Sequence, residues 1–154
     1  MASKTQHFIK PPSGAAHFGG ENCDVWVWWD DSANAVRVIN KGIMDISTAE
    51  KMWRWNVALM EGRPEKKVDW IIDVHQMGKA NAKIRNVLKQ GYSHSKVGIT
   101  AFIGAPLLMK ASIDLATLFK GRDPERPYEF FDNEEDAEKW LAEMKKKRDI
   151  GAKK

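Results

Sequence analysis

The sequence predicts an α/β fold: one mixed sheet that begins with a hairpin, followed by βα units whose helices pack on the sheet. Three observations predict it. Apolar runs at Val68–His75, Val97–Gly104 and Tyr128–Phe131 have strand length, and each leads into a stretch with helical periodicity. Two earlier runs, Asp24–Asp30 and Ala35–Asn40, flank the turn residues Asp31-Ser32-Ala33-Asn34 and read as a hairpin. The resulting order is strand, strand, helix, strand, helix, strand, helix, strand, helix.

At 154 residues with 43% hydrophobic content, the chain is long enough for one domain with its own core. Residues 1–23 read as an irregular segment punctuated by Pro11-Pro12-Ser13-Gly14 and Gly19-Gly20, with a short strand expected at most over His7–Lys10. Residues 24–148 form the domain, and 149–154 a basic tail. In the first strand Val25, Val27 and Trp29 share one face, and Trp26 and Trp28 the other. A first helix is expected from a capping box at Ser47-Thr48-Ala49-Glu50 to Glu61, stopped by Gly62 and Pro64. Its inward stripe is Ala49, Met52, Trp53, Val57 and Met60.

The strand Val68–His75 alternates, with Val68, Trp70, Ile72 and Val74 opposite Asp69, Ile71, Asp73 and His75. A helix follows over 80–92, with Ile84, Val87, Leu88 and Tyr92 inward. Val97–Gly104 is nearly all apolar, as a strand covered on both faces is. Pro106 to Gly121 is the next helix, with Leu108, Met109, Ser112, Leu115, Ala116 and Phe119 inward. Asp123-Pro124 and Pro127 form a connector into Tyr128–Phe131. The last helix starts at Asp132 or Asn133, with Glu134, Glu135 and Asp136 in its first turn. Lys145, Lys146, Lys147 and Arg148 are placed in its last turn, both clusters complementing the helix dipole.

Charge excludes one class of function. The net charge is +4, but residues 145–154 alone carry about +5, so the body is close to neutral and no nucleic-acid partner is expected. The lone Cys23 forms no internal disulfide, no run approaches a membrane span, and the first residues lack the apolar core of a secretion signal. A cytoplasmic protein is expected. His7, His17, His75 and His94 lack metal-ligand spacing, Ser93-His94-Ser95 lacks a nucleophile elbow, and no glycine-rich nucleotide fingerprint is present. Asp69 and Asp73 share a face about 13 Å apart in an extended strand, far for paired acid–base work. A non-enzymatic domain without a cofactor is expected.

The segments VRVINKGIMDISTAEKM, VDWIIDVHQM, VGITAFIGAPLLMKASIDLATLFKG and YEFFDNEEDAEKWL together resemble the SpoIIAA-like family over residues 24–144. Those proteins group with STAS domains, the anti-sigma-factor antagonist fold, and are similar to the lipid-binding lobe of Sec14 proteins. The resemblance implies a small cytoplasmic bacterial α/β domain with a mixed sheet. In sigma-pathway antagonists the corresponding strand leads to a phosphorylatable serine at the start of the next helix. Here Asn81 and Ala82 stand about there, with no hydroxyl to phosphorylate.

The candidate ligand site is the loop from Asp73 to Ala82, which leaves the carboxyl end of a central strand and enters a helix N-terminus. Asp73, His75, Met77, Lys79, Asn81 and Met109 are its candidate residues, with Leu107 and Leu108 as further lining; against this, Gly78 and Lys79 form a plain turn and Asn81 a plain cap. Trp26, Trp28 and Trp55 are candidate interface residues, either paired in a homodimer or covered by the N-terminal segment. Three functions follow. The first is a module binding an apolar or amphipathic small molecule between sheet and helices. The second is a protein–protein regulatory module without the phosphoserine. The third and weakest is an enzyme using His75 and Asp73.

Overall fold

The structure, a computed structural model, describes residues 8–111 and 126–152. One six-stranded sheet carries the strands in chain order, β1 (Ala16–Gly19), β2 (Cys23–Asp30), β3 (Ala35–Gly42), β4 (Val68–Met77), β5 (Val97–Ile103) and β6 (Tyr128–Phe131). The first three are antiparallel neighbours; β3 through β6 run parallel. Helix α1 (Ile46–Glu61) joins β3 to β4, and α2 (Ala82–Tyr92) joins β4 to β5. Helix α3 begins at 107 and is described to 111; α4 (Glu134–Ala152) closes the chain. This is the mixed α/β sheet that the strand–helix alternation predicts. The remainder of the expected Pro106–Gly121 helix, with Ser112, Leu115, Ala116 and Phe119, and the Asp123-Pro124 connector lie outside the described residues.

Same-handed crossovers put successive helices on one face of a parallel sheet. Accordingly α1 and α2 bury Ala49, Met52, Trp53, Met60 and Ile84 against Val25, Val27, Val36, Val38, Trp70, Ile72 and Phe102. The opposite face holds a smaller core in which Ala137 and Leu141 of α4 meet Ala35, Ile71, Ile99, Ala101 and Ile103. The alternation read for Val68–Val74 therefore sorts between two real faces. All seven β5 residues are buried, because β5 is covered from both sides.

Four local expectations are corrected. Residues 16–19, expected to be irregular, form edge strand β1, whose Phe18 packs edge-on to Trp55 with ring centres 6.2 Å apart. Residues 8–10 of the expected His7–Lys10 strand are not extended into the sheet, and His7 lies outside the described residues. The cap of α1 is Asp45, not the Ser47 box: its Oδ1 accepts the Thr48 N–H at 2.8 Å, so the helix starts two residues earlier. Helix α4 runs through the expected basic tail to Ala152, so Lys145 and Arg148 do not lie in a last turn. They turn to the sheet: Arg148 donates to both oxygens of buried Asp69 at 2.9 Å, and Lys145 donates to the carbonyls of Ala33 and Asn34 at 2.7 and 2.5 Å.

Candidate functional site

The carboxyl ends of β3, β4 and β5 bring three loops to one edge. The β3 loop ends at the Asp45 cap of α1. The β4 loop, Gly78 to Asn81, is tied to it by the Gly78 N–H donating to the Gly42 carbonyl at 2.7 Å. Asn81 Oδ1 accepts the Ile84 N–H at 2.9 Å and so caps α2, with Ala82 its first residue. The β5 loop passes Pro106 into α3. This edge exposes bulky apolar side chains: Leu107 is 81% exposed, Leu108 77% and Ile43 57%. Lys79, Lys83, Arg85 and Lys110 lie on the β4 and β5 loops and the helices they enter, while Asp45 and Asp132 follow β3 and β6 on the same edge. Exposed apolar side chains with cations on the neighbouring loops suit an amphipathic partner.

A polar cluster lies on the α4 face, reaching from Asp30 beside the amino end of β3 to Asp73 near the carboxyl edge. Arg37 sits in β3, whose neighbours are buried on both faces, and only 4% of it is exposed. A guanidinium there needs carboxylates around it. Its Nε donates to Asp30 Oδ2 at 2.6 Å, Nη1 to Glu134 Oε2 at 2.9 Å, and Nη2 to Glu138. Burial pulls the Arg37 pKa down, but the three carboxylates outweigh it and hold it above its ordinary value. Burial pushes Glu134 up, the charge of Asp73 adds to this, and Arg37 opposes it. Asp30 is held low: burial raises it, but hydrogen bonds from Ser32, Arg37 and the Ala33 N–H prevail.

Asp73, 3% exposed, completes this cluster. Its Oδ1 accepts from the His75 N–H at 3.0 Å and pairs with His75 Nδ1 at 2.5 Å. Its Oδ2 accepts no hydrogen bond from any described residue. Trp28, Arg37, Ile39, Ile71, Asp73 and Glu134 line a narrow cleft with no room for a water molecule. Two residues of the N-terminal segment contact this cluster. The Phe8 ring lies parallel to the His75 imidazole with centres 3.6 Å apart, and the Ile9 N–H donates to Glu134 Oε1 at 3.2 Å.

The residues singled out from the sequence thus divide. Asp73 and His75 meet on the α4 face. Met77 and Met109 pack against the core of the other face, Lys79 is exposed, and Asn81 is spent on the α2 cap. Trp26 and Trp28 are half-buried; Trp26 stacks on His17 of β1 with centres 5.1 Å apart, and Trp28 walls the cleft. Trp55 meets Phe18. Sequence reasoning missed Arg37, Asp30 and Glu138, and read Glu134 only as a helix-dipole residue. The signal was present: an arginine inside the apolar run Ala35–Ile39 demands buried acidic partners. Among the described residues, no group of three or more His, Cys, Asp or Glu side chains is placed to hold a metal, and no helix is long and apolar enough to cross a membrane.

Comparison with known proteins agrees with this architecture. A crystal structure of an uncharacterized protein from the DUF3478 family, from Shewanella loihica PV-4, has a SpoIIAA-like fold and superposes with a TM-score of 0.60. The match covers 84% of this chain and 98% of that one at 19% identity, a likeness of fold alone. It supports the SpoIIAA-like resemblance and does not extend to Sec14 lobes. No curated protein matches. The family described as Domain of unknown function (DUF7793) matches residues 28–145, from the end of β2 through most of α4. The chain therefore belongs to the DUF7793 family and has a SpoIIAA-like fold.

Proposed function

We propose that this protein is a non-enzymatic regulatory module that binds a protein partner through the carboxyl edge of its parallel strands. The observation that carries this reading is the exposure of Leu107, Leu108 and Ile43 on the loops that leave β5 and β3 at that edge, with Lys79 and Lys110 on the β4 and β5 side. A bulky apolar side chain that is four-fifths exposed gains nothing in the free chain and gains transfer free energy when a partner covers it. The surrounding cations favour a partner segment that mixes apolar and acidic residues, and speed its approach at low salt. Ala82 at the first position of α2 leaves the phosphoserine of sigma-pathway antagonists without a counterpart. Regulation then rests on occupancy of the edge instead of a charge added to it. Met77 and Met109 pack into the core, which favours a surface-bound partner over a small molecule held between sheet and helices.

Affinity capture with the full chain, repeated with Leu107→Ser and Ile43→Ser, tests this. The expected result is a partner held by the wild type and released by both variants. With that partner purified, its affinity falls at least tenfold in each variant and weakens further as salt is raised. A partner held equally by all three proteins contradicts the reading. So does a small molecule found with the purified chain by native mass spectrometry whose retention ignores these substitutions.

A further inference from the structure

The first described residues of the chain are fastened to the α4 face through two groups that can change charge. Phe8 packs on the smaller core, and its ring lies over the His75 imidazole with centres 3.6 Å apart and planes 6° from parallel. That separation is close to the contact distance of two carbon atoms, so the rings lie face over face with little offset. Two neutral rings avoid this arrangement, because their negative faces meet; they prefer an offset or an edge. A positively charged ring reverses the sign, since the face of a phenyl ring attracts a cation. The edge of the imidazole agrees with its face: Nδ1 stands 2.5 Å from Oδ1 of buried Asp73. A carboxylate at one edge and an aromatic ring over the plane both attract imidazolium.

Ile9 supplies the second fastening, its N–H donating to Glu134 Oε1 at 3.2 Å. The remaining charges of the cluster behind these two groups are Arg37 of β3, Asp30 of β2 and Glu138 of α4. From the β5 side His75 is met by Gly104, where a Cβ would stand 2.4 Å from the His75 Cβ, and glycine brings no charge. Lys10, next along the segment, is exposed.

We propose that Phe8 and Ile9 form a proton-operated latch: a charged His75 holds them against the α4 face, and loss of that proton releases them. Histidine is the side chain that ordinarily changes charge close to neutral pH. As pH rises through that range the imidazole loses its charge and the attraction to the Phe8 face goes with it. Phe8 and Ile9 are adjacent, so they lift together. The Ile9 bond has the opposite dependence, because an ionised Glu134 accepts more strongly than a protonated one. Glu134 therefore does not open the latch as pH rises. The open state uncovers the His75 ring near the carboxyl end of β4, and needs no partner to do so.

NMR of the full-length protein from about pH 6 to about pH 8 tests this. The readouts are the His75 ring carbon shifts, the proton contacts between the Phe8 and His75 rings, and exchange of the Ile9 amide relative to an unstructured amide at the same pH. The expected result is that the ring contacts weaken and Ile9 protection falls several-fold as pH rises, in step with the His75 shifts. Phe8→Leu keeps an apolar side chain without an aromatic face, so its Ile9 protection no longer follows pH. Glu134→Gln keeps an acceptor for Ile9 and does not titrate, so the fall with pH survives. Protection that stays level while the His75 shifts move overturns the proposal, as do His75 shifts that do not move over this range. A fall that persists in Phe8→Leu, or one abolished in Glu134→Gln, also overturns it. None of these outcomes bears on Leu107, so the latch and the docking edge stand or fall separately.

Discussion

The Arg148 guanidinium of α4 lies against the Asp69 carboxylate of β4, with Nη1 and Nη2 each 2.9 Å from a different oxygen. Asp69 is 2% exposed and also accepts the Ile99 N–H of β5 at 2.9 Å. One carboxylate thus ties two central strands to the helix that covers them, with Lys145 3.6 Å away. Removing it strands a buried N–H and a guanidinium, so Asp69→Ala should cost about 3–5 kcal/mol. Arg148→Ala should cost less, about 1–2 kcal/mol, because that side chain is part-exposed and Lys145 still neutralises Asp69. Urea unfolding of the two variants and of the double variant checks this. The double variant should lose less than the sum, and strict additivity would contradict the coupling.

The polar cluster predicts a pH dependence with a definite sign. Burial, aided by Asp73, holds the Glu134 carboxyl above its ordinary 4.5. In the window just above 4.5 the folded chain keeps a proton that the unfolded chain has lost, so this group's contribution falls as pH rises. Asp30 acts oppositely: held below 3.8, it contributes above that pH and its contribution is lost as pH drops further. The unfolding free energy of wild type minus that of Glu134→Gln should therefore decline as pH rises from 4.5 toward neutrality. A difference that rises with pH would show that Arg37, and not burial, governs Glu134.

Gly91 of α2 packs directly under the Trp53 ring of α1. A Cβ there would stand 2.2 to 2.5 Å from three ring atoms. Alanine gains about 1 kcal/mol of helix propensity over glycine, yet overpacking a filled core costs about 1–3 kcal/mol. Gly91→Ala should therefore lower the melting temperature, and adding Trp53→Phe should recover part of the loss. A stabilised single variant would mean that the α1–α2 contact is looser than described.

Leu107→Ser should change folding stability by less than about 0.5 kcal/mol, since the side chain is almost bare. Thermal melts check this. A large loss would mean that Leu107 is a packing residue and would remove the basis for docking at the edge.

The fold was legible because its signals are local. The period-two pattern of Val68–Val74, the uninterrupted run of β5 and the stop at Gly62 each follow from a few adjacent residues. Strand β1 was hidden because four residues, Ala16–Gly19, carry too short a pattern and draw their order from pairing with β2. The Arg37 cluster was hidden for a related reason. Its partners lie 7, 97 and 101 residues away, so only the folded chain brings them together. The basic stretch of α4 was misread because a lysine at a helix end and a lysine reaching a buried aspartate look alike in sequence. Asp73 and His75 share the α4 face of β4, as the alternation read from the sequence places them. Which face they occupy relative to Met77 and Met109 depended on where the strand stops alternating, which the loop itself conceals.

Site-directed photo-cross-linking tests the central claim, that the carboxyl edge is a partner-binding surface, most directly. A photoreactive side chain is installed at position 107 and, separately, at position 95, an exposed residue at the opposite end of β5. The account predicts one discrete protein adduct from position 107, suppressed by raised salt and by Ile43→Ser, and none from position 95. No adduct from position 107, or the same adducts from both positions, would contradict it.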